Sequence, residues 1–445
     1  MRTHIANALF GVLDYVAWPA GMLAVAPVAI RALGVERYGI WMVASSAISA
    51  GAIVASGFGD ANIRYVATHR AAGNHAAVQR AVRSSMGIHL ALGSTLAAAG
   101  WMLAPAMTAR LIAADPSMRA DCLWSLRIAC ILLLVRAVES VCIGTQRAFE
   151  RYGAAVGVSV AGRVLSLAAA AVLALWRPSV TILLIATAVI SVGSLWIQLA
   201  KLAALIQGSP LAPHIDREAT RTLLGFGKFT WIQAVSTLCI GQMDRLVTGV
   251  VLGAAAVSSY AICVQLCQPV YGITAAGLHF LFPRITSQYA RNDAAMLRRT
   301  VWASIALNWV AVACGSAILL FFGEAILRVW GGPLLVRSSG AVLPIVLCGT
   351  SLTALNIAGS YTMLAIGRVR LITFLNLAGA VAMMVSAWWL MPGYGIRGMA
   401  LARMCYGPIV LAVNVPIFVQ LLRRSGRRAK PQSGVDAPAA VFEET

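Results

Sequence analysis

Acidic residues are scarce in this chain: 15 Asp and Glu stand against 35 Lys and Arg in 445 residues, and charged residues of either sign make up 11%. A water-soluble domain carries about 25% charged residues, so the shortage excludes an ordinary soluble fold. Catalytic motifs are missing as well. There is no Gly-x-x-x-x-Gly-Lys-Ser/Thr, which excludes a nucleotide-binding loop, and no His-Glu-x-x-His, which excludes that class of zinc hydrolase. Gly-x-Ser-x-Gly and a paired-carboxylate cleft are equally absent. No Cys-x-x-Cys pair occurs among Cys122, Cys130, Cys142, Cys239, Cys263, Cys267, Cys314, Cys348 and Cys405. Neither a structural metal nor a disulfide framework is therefore implied, and these thiols read as small buried apolar groups. The sequence calls for no cofactor and no metal, and points away from an enzyme.

What is present is hydrocarbon. Hydrophobic residues fill 60% of positions, gathered in stretches of about 20 residues, each long enough to cross a bilayer core of about 30 Å as a helix. The short alternating segments of a membrane β-barrel are lacking. The pattern predicts an all-α polytopic membrane protein with helices near 8–30, 39–58, 84–106, 122–144, 154–176, 180–200, 229–252, 259–283, 301–322, 341–366, 371–391 and 396–420. Nothing before Ala8 resembles a cleavable leader, so the first stretch is expected to be a span. Residues 1–207 and 229–422 form two expected six-helix bundles, joined by a linker over 208–228 and followed by a polar tail over 423–445.

The net charge of +20 lies mainly between the apolar stretches, as expected for contact with anionic lipid headgroups rather than nucleic acid. One set of connections, with both termini, holds 22 of the 35 basic residues, including Arg64, Arg70, Arg80, Arg83, Arg298 and Arg299. The opposite set holds 8: Arg31, Arg37, Arg110, Arg119, Arg177, Arg328, Arg337 and Arg397. This asymmetry places both ends in the cytoplasm, as an even number of spans also requires. The longest external loop is expected between Gly323 and Gly340. Leu33-Gly34 before Tyr38 and Leu252-Gly253 before Tyr260 suggest that the halves are repeats, a transporter plan with its substrate site between them.

Charges inside the spans carry the functional signal. Arg127, Arg136, Arg163, Arg245 and Arg403 lie there with Asp14, Glu139 and Asp244, an excess of two positive charges. A lipid-facing Arg at a helix centre costs about 2.5–3.5 kcal/mol on the mildest scale, so these groups must meet water, pair with acids or snorkel. Arg136 and Arg163 are too deep to snorkel, whereas Arg127 is five residues from the external end. Arg127 and Arg136 are nine residues apart, on opposite faces of an ideal helix. Glu139 shares a face with Arg136 and suits an internal ion pair, and Asp244 adjoins Arg245. Surplus guanidinium suits a phosphorylated anion, which Arg grips bidentately. Interior amides such as Gln242, Gln265, Gln268 and Asn308 suit sugar hydroxyls or interhelical packing. His89 reads as a packing residue, as does His279.

Ala32-Leu33-Gly34-Val35-Glu36-Arg37-Tyr38-Gly39-Ile40-Trp41, Gly57-Phe58-Gly59-Asp60, Arg64-Tyr65-Val66-Ala67, Asp244-Arg245, Leu252-Gly253 and Pro283-Arg284 resemble the Wzx-type O-antigen and exopolysaccharide flippases. These belong to the multidrug/oligosaccharidyl-lipid/polysaccharide (MOP) superfamily. The resemblance covers residues 5–425. It implies movement of an undecaprenyl-pyrophosphate-linked oligosaccharide across the bacterial inner membrane by alternating access through a cationic lumen. The implied partners are that lipid, membrane lipids, a polysaccharide polymerase, a chain-length regulator and a coupling ion, H+ or Na+. Arg127, Arg136, Arg163, Arg245 and Arg403 would then meet the substrate, and Asp14, Glu139 or Asp244 would carry the ion. The alternatives are a drug or small-molecule antiporter of the same superfamily, a peptidoglycan-precursor flippase, and a membrane polysaccharide polymerase or glycosyltransferase.

Overall fold

A computed structural model describes residues 2–423 except 58, 113–114, 207–211, 217–219, 222, 224–230, 237, 279–280 and 292, and describes no side chains over 2–18 or at 56, 60, 154, 282, 283, 418 and 420–423. The described secondary structure is entirely helical. The helices are α1 (Arg2–Ser56), α2 (Gly59–Ala71), α3 (His75–Leu111), α4 (Pro116–Ala148), α5 (Tyr152–Trp176), α6 (Val180–Leu205), α7 (Trp231–Leu252), α8 (Ala254–Leu278), α9 (Leu281–Ala290), α10 (Ala294–Ser339), α11 (Leu343–Ala354), α12 (Ile357–Ala365), α13 (Val369–Tyr394), α14 (Ile396–Leu411) and α15 (Asn414–Arg423). Among the described residues, 10 helices are long and apolar enough to cross a membrane. One of them, Pro19–Ala55, breaks at Gly34 and supplies two passes. Adding α4, 33 residues long, gives the twelve passes expected from the sequence. The surfaces of these helices expose Trp176, Trp196, Phe321, Trp388 and Trp389, side chains that a hydrocarbon surround accommodates and water does not.

Glycine sets the reversals. Gly34 (φ 79°, ψ 169°) and Gly253 (φ 85°, ψ 175°) adopt the same positive-φ conformation at corresponding points of the two halves, one that a Cβ would strain. Gly332 (φ 72°, ψ −167°) breaks α10 in the same way. The expected loop between Gly323 and Gly340 is therefore corrected: the chain is helical there, interrupted at Gly332, and the tenth pass begins near Pro333 rather than 341. Polar residues start other helices. Asp115 accepts from the Ser117 and Met118 N–H groups at the head of α4, and Asp293 accepts from Met296 N–H at the head of α10. Asp121 in α4 receives Ser179 Oγ, Val180 N–H and Thr181 N–H, and so fixes the start of α6.

Helices α1, α3, α4, α5 and α6 pack on one another before the linker, and α8, α10, α11, α13 and α14 do so after it. The two sets meet mainly where α1 crosses α8. There Gly39 brings its backbone so close that a Cβ would lie 1.8 Å from Ala254 O. Arg31 adds a second tie, donating through Nε to Trp330 O at 3.1 Å and through Nη2 to Val329 O, thereby capping the first run of α10. The described part of the linker is seated rather than loose. Arg83 donates to Ala212 O at 3.0 Å, and the N–H of Asp216 reaches Ser84 Oγ at 3.1 Å. The expected tail lies outside the described residues from 424 onward.

Candidate functional site

A helical stripe on α4 builds the first wall of a cavity. Leu132, Arg136, Glu139, Ser140, Ile143 and Arg147 fall at offsets of three, four, seven and eleven residues, one face of a helix with about 3.6 residues per turn. All six line a cavity of about 790 Å³. Helix α1 supplies Trp41, Ser45, Ile48, Ser49, Ala52 and Ile53 with the same periodicity, α5 supplies Arg163, Ser166 and Ala170, and α6 supplies Leu184 and Thr187. The volume sits within the roughly 300–1,000 Å³ of organic-ligand sites. Its charged described lining is three guanidinium groups and one carboxylate. Arg136 donates to Glu139 Oε2 at 2.6 Å; their side chains are 19% and 3% exposed. That pairing was expected, and it coexists with the open volume beside it.

The cavity's position corrects one expectation. It lies inside the first bundle, with Gln242 of α7 its one described contribution from beyond the linker. A smaller cavity of about 170 Å³ adjoins it between the halves, lined by Arg245, Arg403, Gln242, Gln265 and Gln268 among others. Pro19, Ser45, Ser49 and Gln242 line both. The deep arginines are thus divided: Arg136 and Arg163 in the large cavity, Arg245 and Arg403 in the small one. Arg127 lines neither. Its guanidinium lies 5.0 Å from the Trp101 ring and 5.3 Å from the Trp124 ring, a cation–π clamp on the side of α4 facing away from Arg136.

Asp244 is fully buried, and its carboxylate is fully engaged. Oδ1 accepts the Arg245 N–H at 2.8 Å; Oδ2 accepts Tyr260 OH at 2.9 Å and Arg403 Nη1 at 2.8 Å. Its side-chain ion-pair partner is therefore Arg403 of α14, not the adjoining Arg245. Arg403 Nη1 also donates to Ile240 O at 3.1 Å. That carbonyl lies in a π-turn, Cys239–Met243, inside α7. Such a turn widens the helix by one residue and releases carbonyls from the usual ladder.

Arg147 was missed as a site residue because the sequence places it in a connection after a span ending at 144. Helix α4 continues to Ala148 and turns Arg147 inward; the eleven-residue spacing from Arg136 was the legible signal. The backbone of Asp14 lies in α1, but its side chain is outside the described residues, as is all of His279. His89 is a packing residue, with Nδ1 2.8 Å from Ser85 O. Asn308 also packs, donating to Ala354 O and Leu355 O. All nine thiols are free.

The family described as Polysaccharide biosynthesis protein matches residues 11–288. A search among curated proteins found no match. Among solved structures, the chain is similar to an inward-facing multidrug resistance MATE family transporter of the MOP superfamily. The identity is 15% and the TM-score 0.68, covering 94% of this chain and 96% of that one. It is also similar to the eukaryotic MATE transporter AtDTX14, at 14% identity and TM-score 0.66, covering 95% and 98%. A third likeness is to a MOP superfamily transporter from Pyrococcus furiosus whose binding pocket is described as reversed in polarity, suggesting a different function. That match has 15% identity and TM-score 0.55, covering 94% and 92%.

Proposed function

Because the chain belongs to the polysaccharide biosynthesis protein family and has the fold of a MOP-superfamily transporter, we propose that it is a flippase for an undecaprenyl-pyrophosphate-linked oligosaccharide. It would carry that repeat unit across the bacterial inner membrane for O-antigen or exopolysaccharide assembly. The observation that carries this reading is the 790 Å³ cavity holding Arg136, Arg147 and Arg163 with Glu139 as its single described carboxylate. Guanidinium groups bind phosphate oxygens through paired N–H donors, and do so best where water is scarce. Tyr152, Thr187, Ser140 and Ser166 line the same volume; the last three donate to Leu183 O, Ala137 O and Gly162 O of their own helices and offer sugars an accepting oxygen. The apolar wall of Trp41, Ile48, Ile53 and Leu184 suits the faces of sugar rings and the first isoprenoid carbons. Binding both ends of the amphiphile in one cavity, then exposing it to the other leaflet, requires the bundles to rock about the α1–α8 contact. That is the alternating-access scheme of repeat-built transporters.

Transport in proteoliposomes tests the proposal. A labelled polyprenyl-pyrophosphate oligosaccharide should cross in the presence of the wild-type chain, and Arg163→Gln and Arg136→Gln should abolish crossing while protein remains in the membrane. Full crossing in both variants would remove the cavity from the mechanism. A second reading, export of an organic cation, draws on the MATE neighbours and on the largely apolar wall. Three arginines in the cavity oppose it, since a bound cation would face like charge. Cationic-dye efflux by the wild-type vesicles, with no movement of the lipid, would favour it.

A further inference from the structure

Two side chains tie the halves of the chain together at two levels of α1, and both use the same chemistry. A helix leaves its last four carbonyls without partners of its own, and they carry the negative end of its dipole. At one level Arg31, in the first half, donates from Nε to Trp330 O at 3.1 Å and from Nη2 to Val329 O. Those carbonyls end the first run of α10, just before its break at Gly332. The regular donor to Val329 O would come from Pro333, which has no N–H. At the other level Trp231, in the second half, donates from Nε1 to Val54 O at 3.1 Å, a carbonyl in the last turn of α1 before its end at Ser56. Gly57 makes room for the indole, since a Cβ there would lie 2.6 Å from Trp231 Cδ1. From Gly34 to Val54 the helix rises about 30 Å at roughly 1.5 Å per residue, the thickness of the hydrocarbon core. The two ties therefore sit at opposite faces of the membrane, with Arg31 on the side that the arginine asymmetry assigns to the exterior.

Neither tie is built for permanence. Arg31 is exposed and Trp231 only partly buried, so water can replace the carbonyl partner of each at small net cost. We propose that Arg31 and Trp231 are opposed latches on the junction between the halves. Arg31 holds its exterior face shut, Trp231 holds its cytoplasmic face shut, and each transport stroke releases one latch while keeping the other. In this structure both are closed. Opening to the exterior gives up the two Arg31 bonds, and opening to the cytoplasm gives up the one Trp231 bond, so the pair sets the resting balance between the two open forms. The inference rests on the halves rocking as the function proposed above requires; the nature of the cargo does not enter it.

Distances between spin labels across the junction test this in the full-length protein in nanodiscs, with no substrate added. Labels carried on non-canonical amino acids leave the nine native cysteines untouched. One pair, at Arg177 and Tyr394, spans the exterior ends of the halves; the other, at His75 and Arg291, spans the cytoplasmic ends, and all four side chains are exposed. Arg31→Met keeps the aliphatic stem and removes every donor. It should lengthen the exterior distance alone and raise the open fraction about tenfold, the scale of a lost charge-assisted pair of bonds. Trp231→Phe keeps an aromatic ring and removes the N–H. It should lengthen the cytoplasmic distance alone and raise that open fraction about fivefold, the scale of one neutral bond. Should Trp231→Phe not accumulate, Gly57→Ala displaces the indole and should give the same cytoplasmic opening. Unchanged distances in Arg31→Met would overturn the proposal. Lengthening at both faces in either variant would do so too, because the junction would then be loosened rather than unlatched. Lipid crossing by the wild-type chain with no shift in Arg31→Met would reject the latches and leave the flippase reading standing. The expected shifts without any lipid crossing would do the reverse.

Discussion

Neutralising Glu139 should make the protein hold its substrate more tightly and move it more slowly. Glu139 is the one described carboxylate in the large cavity, and it occupies Arg136 at 2.6 Å. Glu139→Gln keeps an amide oxygen that can still accept from Arg136, so the helix face is preserved while one negative charge leaves. At an effective dielectric of about 20, a unit charge about 6 Å from a bound phosphate changes its energy by roughly 2.8 kcal/mol. Screening by water in the cavity reduces this to about 1.4–2.8 kcal/mol, or a factor of roughly 10–100 in Kd. The assay is titration of a fluorescent polyprenyl-pyrophosphate into nanodiscs carrying wild-type or variant protein, followed by crossing rates in vesicles. Tighter binding with slower turnover is expected, since release then becomes harder. Weaker binding of Glu139→Gln would refute the reasoning, because it would mean that the carboxylate organises the site rather than competing within it.

Arg127 lies outside both cavities, between Trp101 and Trp124; Arg127→Gln should therefore leave lipid crossing within about twofold of wild type, and loss of transport comparable to that of Arg163→Gln would contradict its placement. Gly34 and Gly39 separate backbone strain from packing. Gly34→Ala meets no atom within 4 Å but sits at φ 79° and ψ 169°, a region essentially reserved to glycine that costs an L-residue roughly 1–3 kcal/mol, readable as a lowered thermal midpoint with transport retained. At Gly39→Ala the new Cβ would fall 1.8 Å from Ala254 O, so α1 and α8 must separate; crossing should fall far more than with Gly34→Ala, and equal effects would argue against the α1–α8 contact as the pivot.

Most of the fold was legible because lipid imposes one rule, that each backbone polar group be satisfied within its own helix. The twelve passes and the reversals at Gly34 and Gly253 follow from hydropathy and glycine chemistry. What escaped was helix length. Apolar windows end where charge begins, but α3 starts at His75, nine residues before the expected 84. A helix needs its hydrogen bonds closed more than it needs every residue in hydrocarbon. The same effect hid Arg147 and turned the expected external loop into a helix broken at Gly332. Depth singled out Arg136 and Arg163, which line the large cavity, and periodicity separated Arg127 from Arg136. The pairing of Asp244 with Arg403 was not legible. It joins residues 159 positions apart from α7 and α14, and one sequence offers no signal for such a contact, while the adjacent Arg245 offered a misleading one.

The two cavities share a wall built from both halves of the chain. Gln242 reaches both volumes from inside the π-turn of α7, and Pro19, Ser45 and Ser49 of α1 close the same boundary. A π-turn is a register fault that a helix retains at some energetic cost, usually where side chains must be aimed off the regular ladder. Here it directs Gln242 to the boundary and frees Ile240 O for Arg403. Under the proposed function, an anion held beside Arg136 and Arg163 in the first cavity would act on the second through this shared boundary of Pro19, Ser45, Ser49 and Gln242. Were the guanidinium groups of both bundles in one chamber, a bound anion would draw them together and lock the bundles closed. Dividing them would, under the proposed function, let an anion bound in the first cavity favour one arrangement of α7 against α14 over another. Differential affinity of that kind is the only means by which a ligand can shift a conformational equilibrium.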